Sequence, residues 1–471
     1  MTTRFYKFHQ PINKENGKNF MSTLLHQADY RRQIGENLLL RWSTPADYDQ
    51  LCKLYSFIFR ANAEAPLNTH TPLYLRNLIG GKHPFLSLYD FAVVQRQDTG
   101  EIVASANLLK QTWDYQGTLL QVGRPEIVAS HPDYRKQGLI RAIFELLHAR
   151  SEQRGDILQA ITGIPYFYRL FGYEYAIDLE SSRTVPFSAI PASLSSENEP
   201  YYLRPAQADE LTWIAQCYEQ QRKQIAITTV IDDDYWRWML DAGKKKFIHT
   251  WQPQIICEAD GHRIGYAIVS AQRFSANLMV PMVGLIEGYS YSNLIASLLR
   301  GIQQLADQIT VVKADAGEAS AIWFNLYEQH PLYQHLGRLS KPADDVYAWY
   351  IRIPDLLALV RQLKPVLEWH LRQSICAGYS GELRLNFYRS GLLLRFEKGL
   401  ITAIEPWRAE VWGTKPHINL PANLFTICLF GHRSLRDLRY IFPDAYAEDE
   451  QSALVFDALF PVQANWVMAL D

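Results

Sequence analysis

The stretch Glu126-Ile127-Val128-Ala129-Ser130-His131-Pro132-Asp133-Tyr134-Arg135-Lys136-Gln137-Gly138-Leu139-Ile140-Arg141 decides how this chain is read. Its first five residues predict a strand, and beyond the turn Leu139, Ile143, Leu146 and Leu147 recur on one helical face. The basic segment between them therefore opens a helix. At that end the first backbone N–H groups lack carbonyl partners and the helix dipole is positive, so an anion such as a pyrophosphate meets ready donors. Gly138 lets the backbone come close to such a ligand, and Arg135, Lys136 and Arg141 add positive charge. By itself a basic turn with one glycine is a weak signal, since Lys and Arg before a helix are usually just solvated.

A second segment changes that balance: Gly163-Ile164-Pro165-Tyr166-Phe167-Tyr168-Arg169-Leu170-Phe171-Gly172-Tyr173, one helix and one strand further along. Together the two segments resemble the GNAT acetyltransferase superfamily. In that family a loop of the form Arg/Gln-x-x-Gly-x-Gly/Ala cradles the pyrophosphate of acetyl-CoA, and a later Tyr, four residues before a Gly-Phe or Gly-Tyr pair, faces the coenzyme sulfur. Arg135, Gly138 and Tyr168 stand at those positions, with Ile140 in place of the last Gly or Ala. This loop variant is similar to that of the branch containing the mycobacterial enhanced-intracellular-survival (Eis) aminoglycoside acetyltransferases.

The rest of the composition is that of a folded globular protein. With 471 residues the chain is long enough for about three domains, and 48% hydrophobic and 20% charged residues are ordinary values. A formal charge of −2 gives no electrostatic case for nucleic acid or an anionic membrane. No apolar run approaches a membrane span and the start Met1-Thr2-Thr3-Arg4-Phe5-Tyr6-Lys7 lacks a signal-peptide core, so a cytoplasmic protein is expected. Cys52, Cys217, Cys257, Cys376 and Cys428 are scattered singly, which predicts reduced thiols, and no Cys or His spacing suggests a metal site.

Along the chain the pattern divides five ways. Residues 1–35 are polar and without period, an N-terminal extension. Residues 36–185 open with the strand Leu38-Leu39-Leu40-Arg41-Trp42 and a capped helix start, continue through a hairpin around Asp98-Thr99-Gly100, and contain the two segments above. Residues 186–200 have a linker composition. Residues 201–345 repeat the strand, helix and hairpin order, but the turn before the helix bearing Leu294, Leu298 and Ile302 is Glu287-Gly288-Tyr289-Ser290-Tyr291-Ser292, with no basic residue. It is read as a degenerate GNAT-like copy without coenzyme-binding capacity, the alternative being a site for an uncharged ligand. Residues 346–471 carry a helix from Pro354, an antiparallel meander from Leu383 to Ile404, and closing helices from Ser434 and Glu448; they resemble the sterol-carrier-protein-like domain that ends Eis-type enzymes. The expected fold is thus α/β (α+β): two tandem GNAT folds, mixed twisted sheets with flanking helices, and a sterol-carrier-protein-like α+β domain.

The resemblance implies an acetyl-CoA-dependent N-acetyltransferase acting on a small aminoglycoside-like or polyamine-like amine by direct attack in a ternary complex, with no metal. It implies that the pyrophosphate sits on Arg135, Lys136, Gln137, Gly138, Leu139, Ile140 and Arg141, and the pantetheine arm along Val128, Ala129 and Ser130, with Gly163 and Ile164 alongside. It implies further that Tyr168 protonates the sulfur and that a terminal carboxylate, here Asp471, is the base; Glu126 is the runner-up because other GNAT enzymes carry a base on that strand. Family members of this type are hexamers, so a homo-oligomer is expected, with neither nucleic acid nor membrane as partner. His131 reads as a turn residue and His148 as a helix-surface residue. Two other functions stay open: a protein or peptide amine acetyltransferase, and a non-enzymatic acyl-CoA or lipid-binding protein.

Overall fold

The computed structural model describes residues 25–69, 71–72, 75–76, 83–192, 199–242, 251–313, 316–342, 347–410 and 412–470. The strand, turn and helix singled out in the sequence lie at the middle of a mixed 10-stranded sheet. Strands β1 (Arg31–Ile34), β2 (Leu38–Trp42), β3 (Phe91–Arg96), β4 (Ile102–Tyr115) and β5 (Thr118–Ser130) run antiparallel in that order. Within the stretch read as an N-terminal extension, Arg31–Ile34 pairs with Leu38–Arg41 as an edge strand. The hairpin partner Ile102–Ala106 is only the start of β4, which stays paired with β5 to Tyr115↔Thr118.

Helix α1 (Tyr48–Ile58) covers one face of this sheet, its Leu51 and Leu54 packing with Val93, Leu109 and Ala129. Helix α2 (Leu139–Gln153) covers the other, where Leu139, Ile143, Leu146 and Leu147 pack on Leu40, Val94 and Val103. Each face is sealed by one amphipathic stripe. Strand β6 (Leu158–Ile161) returns parallel to β5 but pairs with it only through Val122↔Leu158 and Gly123↔Gln159. Beyond those pairs β5 and β6 part, and the wedge between them opens at the carboxyl ends of both strands, the usual place for a ligand in an open α/β sheet.

The wedge is completed from far down the chain. Strand β7 (Glu174–Asp178) belongs to the first sheet, whereas β8 (Ser181–Pro186) lies in another. The second part contributes β9 (Tyr201–Pro205), α3 (Leu211–Arg222), β10 (Ile227–Thr229), β11 (Trp251–Glu258), β12 (Arg263–Ser270), β13 (Asn277–Val280), β14 (Met282–Leu285), α4 (Tyr291–Gln304), β15 (Ala321–Leu326), α5 (Pro331–Leu336) and β16 (Lys341–Pro342). One sheet of it runs β14-β12-β11-β9; in the other, β8 sits between β15 and β16. Reciprocally, β17 (Ala348–Arg352) inserts between β6 and β7 of the first sheet. Each sheet thus holds a strand from the far side of the other.

The remaining residues form a 5-stranded sheet with helices. The helix expected from Pro354 is two helices, Leu356–Gln362 and Lys364–Arg372, because Pro365 has no N–H to continue the first. Its core is continuous with the distal end of the first sheet, where Tyr115, buried at 1% exposure, donates its hydroxyl to the Leu429 carbonyl at 3.0 Å. No helix among the described residues is long and apolar enough to cross a membrane.

Candidate active site

The turn 131–138 is built to aim backbone donors outward. His131 caps a short 3₁₀ turn, Lys136 and Gly138 adopt left-handed backbone (φ 62° and 76°), and the first intrahelical bond of α2 is Ala142 N–H to Gly138 carbonyl at 3.0 Å. Leu139, Ile140 and Arg141 N–H groups are consequently free of intrahelical partners. Arg135, Lys136 and Arg141 are exposed beside them and make no ion pair among the described residues; Arg141 lies 5.3 Å over the Phe171 ring.

A cavity of about 580 Å³ runs from this turn along β5. Val128, Ser130, Arg135, Lys136, Gly138, Leu139, Ile140, Arg141, Ile164 and Tyr168 all line it. Ala129 and Gln137 do not: Ala129 points into the core beneath α1, as alternation along a strand requires, and the Gln137 amide turns back to the Asp133 carbonyl at 3.4 Å. Sequence reasoning missed Ile58 and Phe59 at the end of α1 and Phe167, Leu170 and Phe171, which form the apolar wall. No periodicity marks the first two as site residues, because they reach the cavity through tertiary packing.

A second cavity of about 560 Å³ lies across Tyr168, lined by Asn68, Thr71, Glu126, Ile127, Thr162 and Gly163 among others. Phe59, Val128, Ile164 and Tyr168 line both. Between them β5 bulges: Ser105 pairs with Ala129 but Asn107 with Glu126, leaving two residues of β5 opposite Ala106. Ile127 takes φ 49°, a costly left-handed conformation for a β-branched side chain. The bulge interrupts the ladder at Ile127 and Val128, where both cavities meet. Opposite it, Asn107 is fully buried with neither side-chain amide atom hydrogen-bonded. Unpaired buried amides and strained backbone are tolerated mainly at functional sites.

Tyr168 is the hinge of the arrangement. It is 4% exposed, and burial first, then the charge of nearby Glu126, then Tyr350, push its phenol well above the usual range. Glu126 is paired with the fully buried Arg124 guanidinium. Behind Tyr168 stand Phe144 at 5.8 Å, Tyr173 at 6.3 Å and Tyr350 at 5.5 Å between ring centroids. Tyr350 donates to Tyr175 Oη at 2.5 Å, and Tyr347 donates to the Gly163 carbonyl. These tyrosines come from β17 and its approach, and nothing in the local sequence ties them to residues 163–168. His148 is a correction: instead of a surface residue it bonds Tyr173 Oη at 2.8 Å, with burial driving its imidazole down to about 3.

Asp471 lies outside the described residues; its neighbour Leu470 is buried and lines a cavity with Glu180 and Tyr235. No group of three or more His, Cys, Asp or Glu among the described residues could hold a metal.

Residues 40–176 match the family described as acetyltransferase (GNAT) domain, a span that begins in β2, ends in β7 and contains both cavities' motifs. No curated protein matches the chain. Among solved structures it is similar to a GCN5-related N-acetyltransferase from Anabaena variabilis (15% identity, 91% of this chain and 99% of that one, TM-score 0.63). It is also similar to a GCN5-related N-acetyltransferase from Kribbella flavida (16%, 92% and 100%, TM-score 0.62) and to Eis1 from Mycobacterium abscessus (13%, 92% and 99%, TM-score 0.56). At these identities the likeness is one of fold, carried over almost the whole of each chain. The sheet parting at β5 and β6, the basic helix start and the family match agree: residues 40–176 match a GNAT acetyltransferase domain on a GNAT-like fold, and the protein is an acyltransferase.

Proposed function

We propose that the protein transfers an acetyl group from acetyl-CoA to the amine of a small molecule, of aminoglycoside-like or polyamine-like character, in a ternary complex. The observation that carries this is Tyr168 at the wall shared by a basic cavity and one bearing Glu126. A coenzyme with an anionic pyrophosphate and an apolar arm fits the first: cations and helix N–H groups stand at one end, Ile58, Phe59 and Leu170 along the other. When bound, acetyl-CoA supplies the thioester acetyl group.

The chain's own residues do the rest. The β5 bulge frees backbone N–H groups near Val128 to stabilise negative charge developing on a carbonyl oxygen. Glu126, held by Arg124, draws an ammonium into the acceptor cavity and takes its proton; the Asp471 carboxylate is the second candidate for that proton, and a chain lacking Asp471 separates the two. Tyr168, which stays protonated because its surroundings oppose ionisation, is placed at the shared wall to donate to the departing thiolate.

The second and third parts are read as a degenerate GNAT-like unit and a sterol-carrier-protein-like domain, in a cytoplasmic homo-oligomer, a hexamer by family resemblance. The exchange of β8 and β17 supports the tandem reading, because each strand fills the same kind of gap in the opposite sheet. The test is thiol release from acetyl-CoA with aminoglycosides, polyamines and lysine peptides, each product checked by mass for one added acetyl group. Turnover on the small amines supports the reading; turnover on peptides alone, or coenzyme binding without turnover, overturns it.

A further inference from the structure

The second part keeps a cleft where the first has its basic cavity. In the first sheet that cavity lies between the end of α1, the turn entering α2, and the segment after β6. In the second part a cleft of about 740 Å³ lies between the end of α3, the turn from β14 into α4, and the segment after β15. The same three elements line both, and the second space is the larger.

Its chemistry is different. Where the first turn carries Arg135, Lys136 and Arg141, the second reads Glu287-Gly288-Tyr289-Ser290. The charged or titratable groups around it are Lys223, Glu287 and His335, no match for the two negative charges of a pyrophosphate. Gln220, Gln224 and Gln329 line the cleft instead, and their side-chain amides make no hydrogen bond among the described residues. An amide both donates and accepts, as a hydroxyl does, whereas an anion calls for donors alone. Three rings, Tyr289, Tyr291 and Tyr327, stand beside these amides, with aliphatic side chains such as Ile225 and Ile286. The Tyr289 hydroxyl is committed to Glu258 at 3.0 Å, so what it has left for a ligand is ring surface, while Tyr291 and Tyr327 form the buried floor. Ring faces beside amide groups suit a molecule with C–H faces and a rim of hydroxyls, while a purely apolar guest would strip the amides of water without return.

We propose that this cleft is a second ligand site for a neutral, hydroxyl-rich ligand of the saccharide class. It is separate from the coenzyme cavity and does not depend on the acetyl-transfer reading. Saturation-transfer NMR on the full chain tests it, with maltose, trehalose, galactose, N-acetylglucosamine and, as a contrast, trialanine. The variants are Gln224→Ala and Gln329→Trp, with Arg135→Ala as control and circular dichroism as the check on folding. Transfer to at least one sugar in the wild type and Arg135→Ala, several-fold weaker in both cleft variants, is the expected result. Transfer to trialanine alone, to no probe, or to a sugar that coenzyme A displaces or both cleft variants retain, overturns the proposal.

Discussion

Tyr350 and Tyr175 stack with ring centroids 3.9 Å apart and share a hydrogen bond of 2.5 Å between their hydroxyls, although 175 residues separate them. Tyr350 stands on β17, the strand exchanged into the first sheet, and its ring also meets Tyr168 edge-on. The wedge between β5 and β6 is therefore buttressed by a segment that follows the whole second part of the chain. Tyr350→Phe removes the hydroxyl and keeps the ring, so it should lower kcat roughly threefold to tenfold, the worth of one hydrogen bond, with KM for acetyl-CoA nearly unchanged. Steady-state kinetics with varied coenzyme checks this; a changed KM with constant kcat would place Tyr350 on the binding side instead.

Gly163 takes φ 127°, and a Cβ there would lie 3.3 Å from Tyr168 Cε2 and 3.4 Å from its hydroxyl. Gly163→Ala therefore combines backbone strain with pressure on the residue at the junction. We expect a loss of about 1–3 kcal/mol in urea unfolding and a fall in activity larger than unfolding explains at the assay temperature. Unchanged activity would show that Tyr168 tolerates displacement.

Tyr168 should set no alkaline limit on the reaction. Burial, then Glu126, hold its proton well beyond the ordinary phenol range. As the acceptor amine loses its proton, kcat/KM should rise with pH and not turn down below about pH 10. An earlier alkaline decline that disappears in Tyr168→Phe would contradict the assignment.

His330 is fully buried, caps α5 through Leu332 N–H at 3.1 Å, and burial lowers its imidazole to about 4. Its folded value lies below the unfolded one, so below pH 6.5 the unfolded chain binds more protons. The stabilisation is present above pH 6.5 and is lost as the pH falls toward about 4. The loss should reach roughly 2 kcal/mol at pH 5. His330→Asn keeps an acceptor for the cap but has no proton to gain. Denaturation at pH 7 and pH 5 should show the wild type losing about that much more than the variant; equal losses would contradict this.

What could be read in advance was local. The 135–138 turn and helix α2 follow from charge, glycine and apolar spacing in one continuous stretch, and the basic end of the cavity falls within it. The exchange of β8 and β17 could not be read, because short segments such as Ser181–Pro186 and Ala348–Arg352 carry no mark of which sheet they join. For the same reason Tyr347 and Tyr350 were invisible as neighbours of Tyr168. Residues 163–173 single out Tyr168 by resemblance alone; that Tyr168 lines both cavities, beside the β5 bulge, no local pattern announces.

The most direct test compares wild type with Tyr168→Phe for acetyl-CoA affinity and for kcat in thiol release with the best amine. The account predicts nearly unchanged affinity and a kcat lower by about 10²-fold or more, the scale of a lost general acid. Equal kcat in the two proteins would contradict the role given to Tyr168 and, with it, the reading of the two cavities as donor and acceptor sites of one reaction.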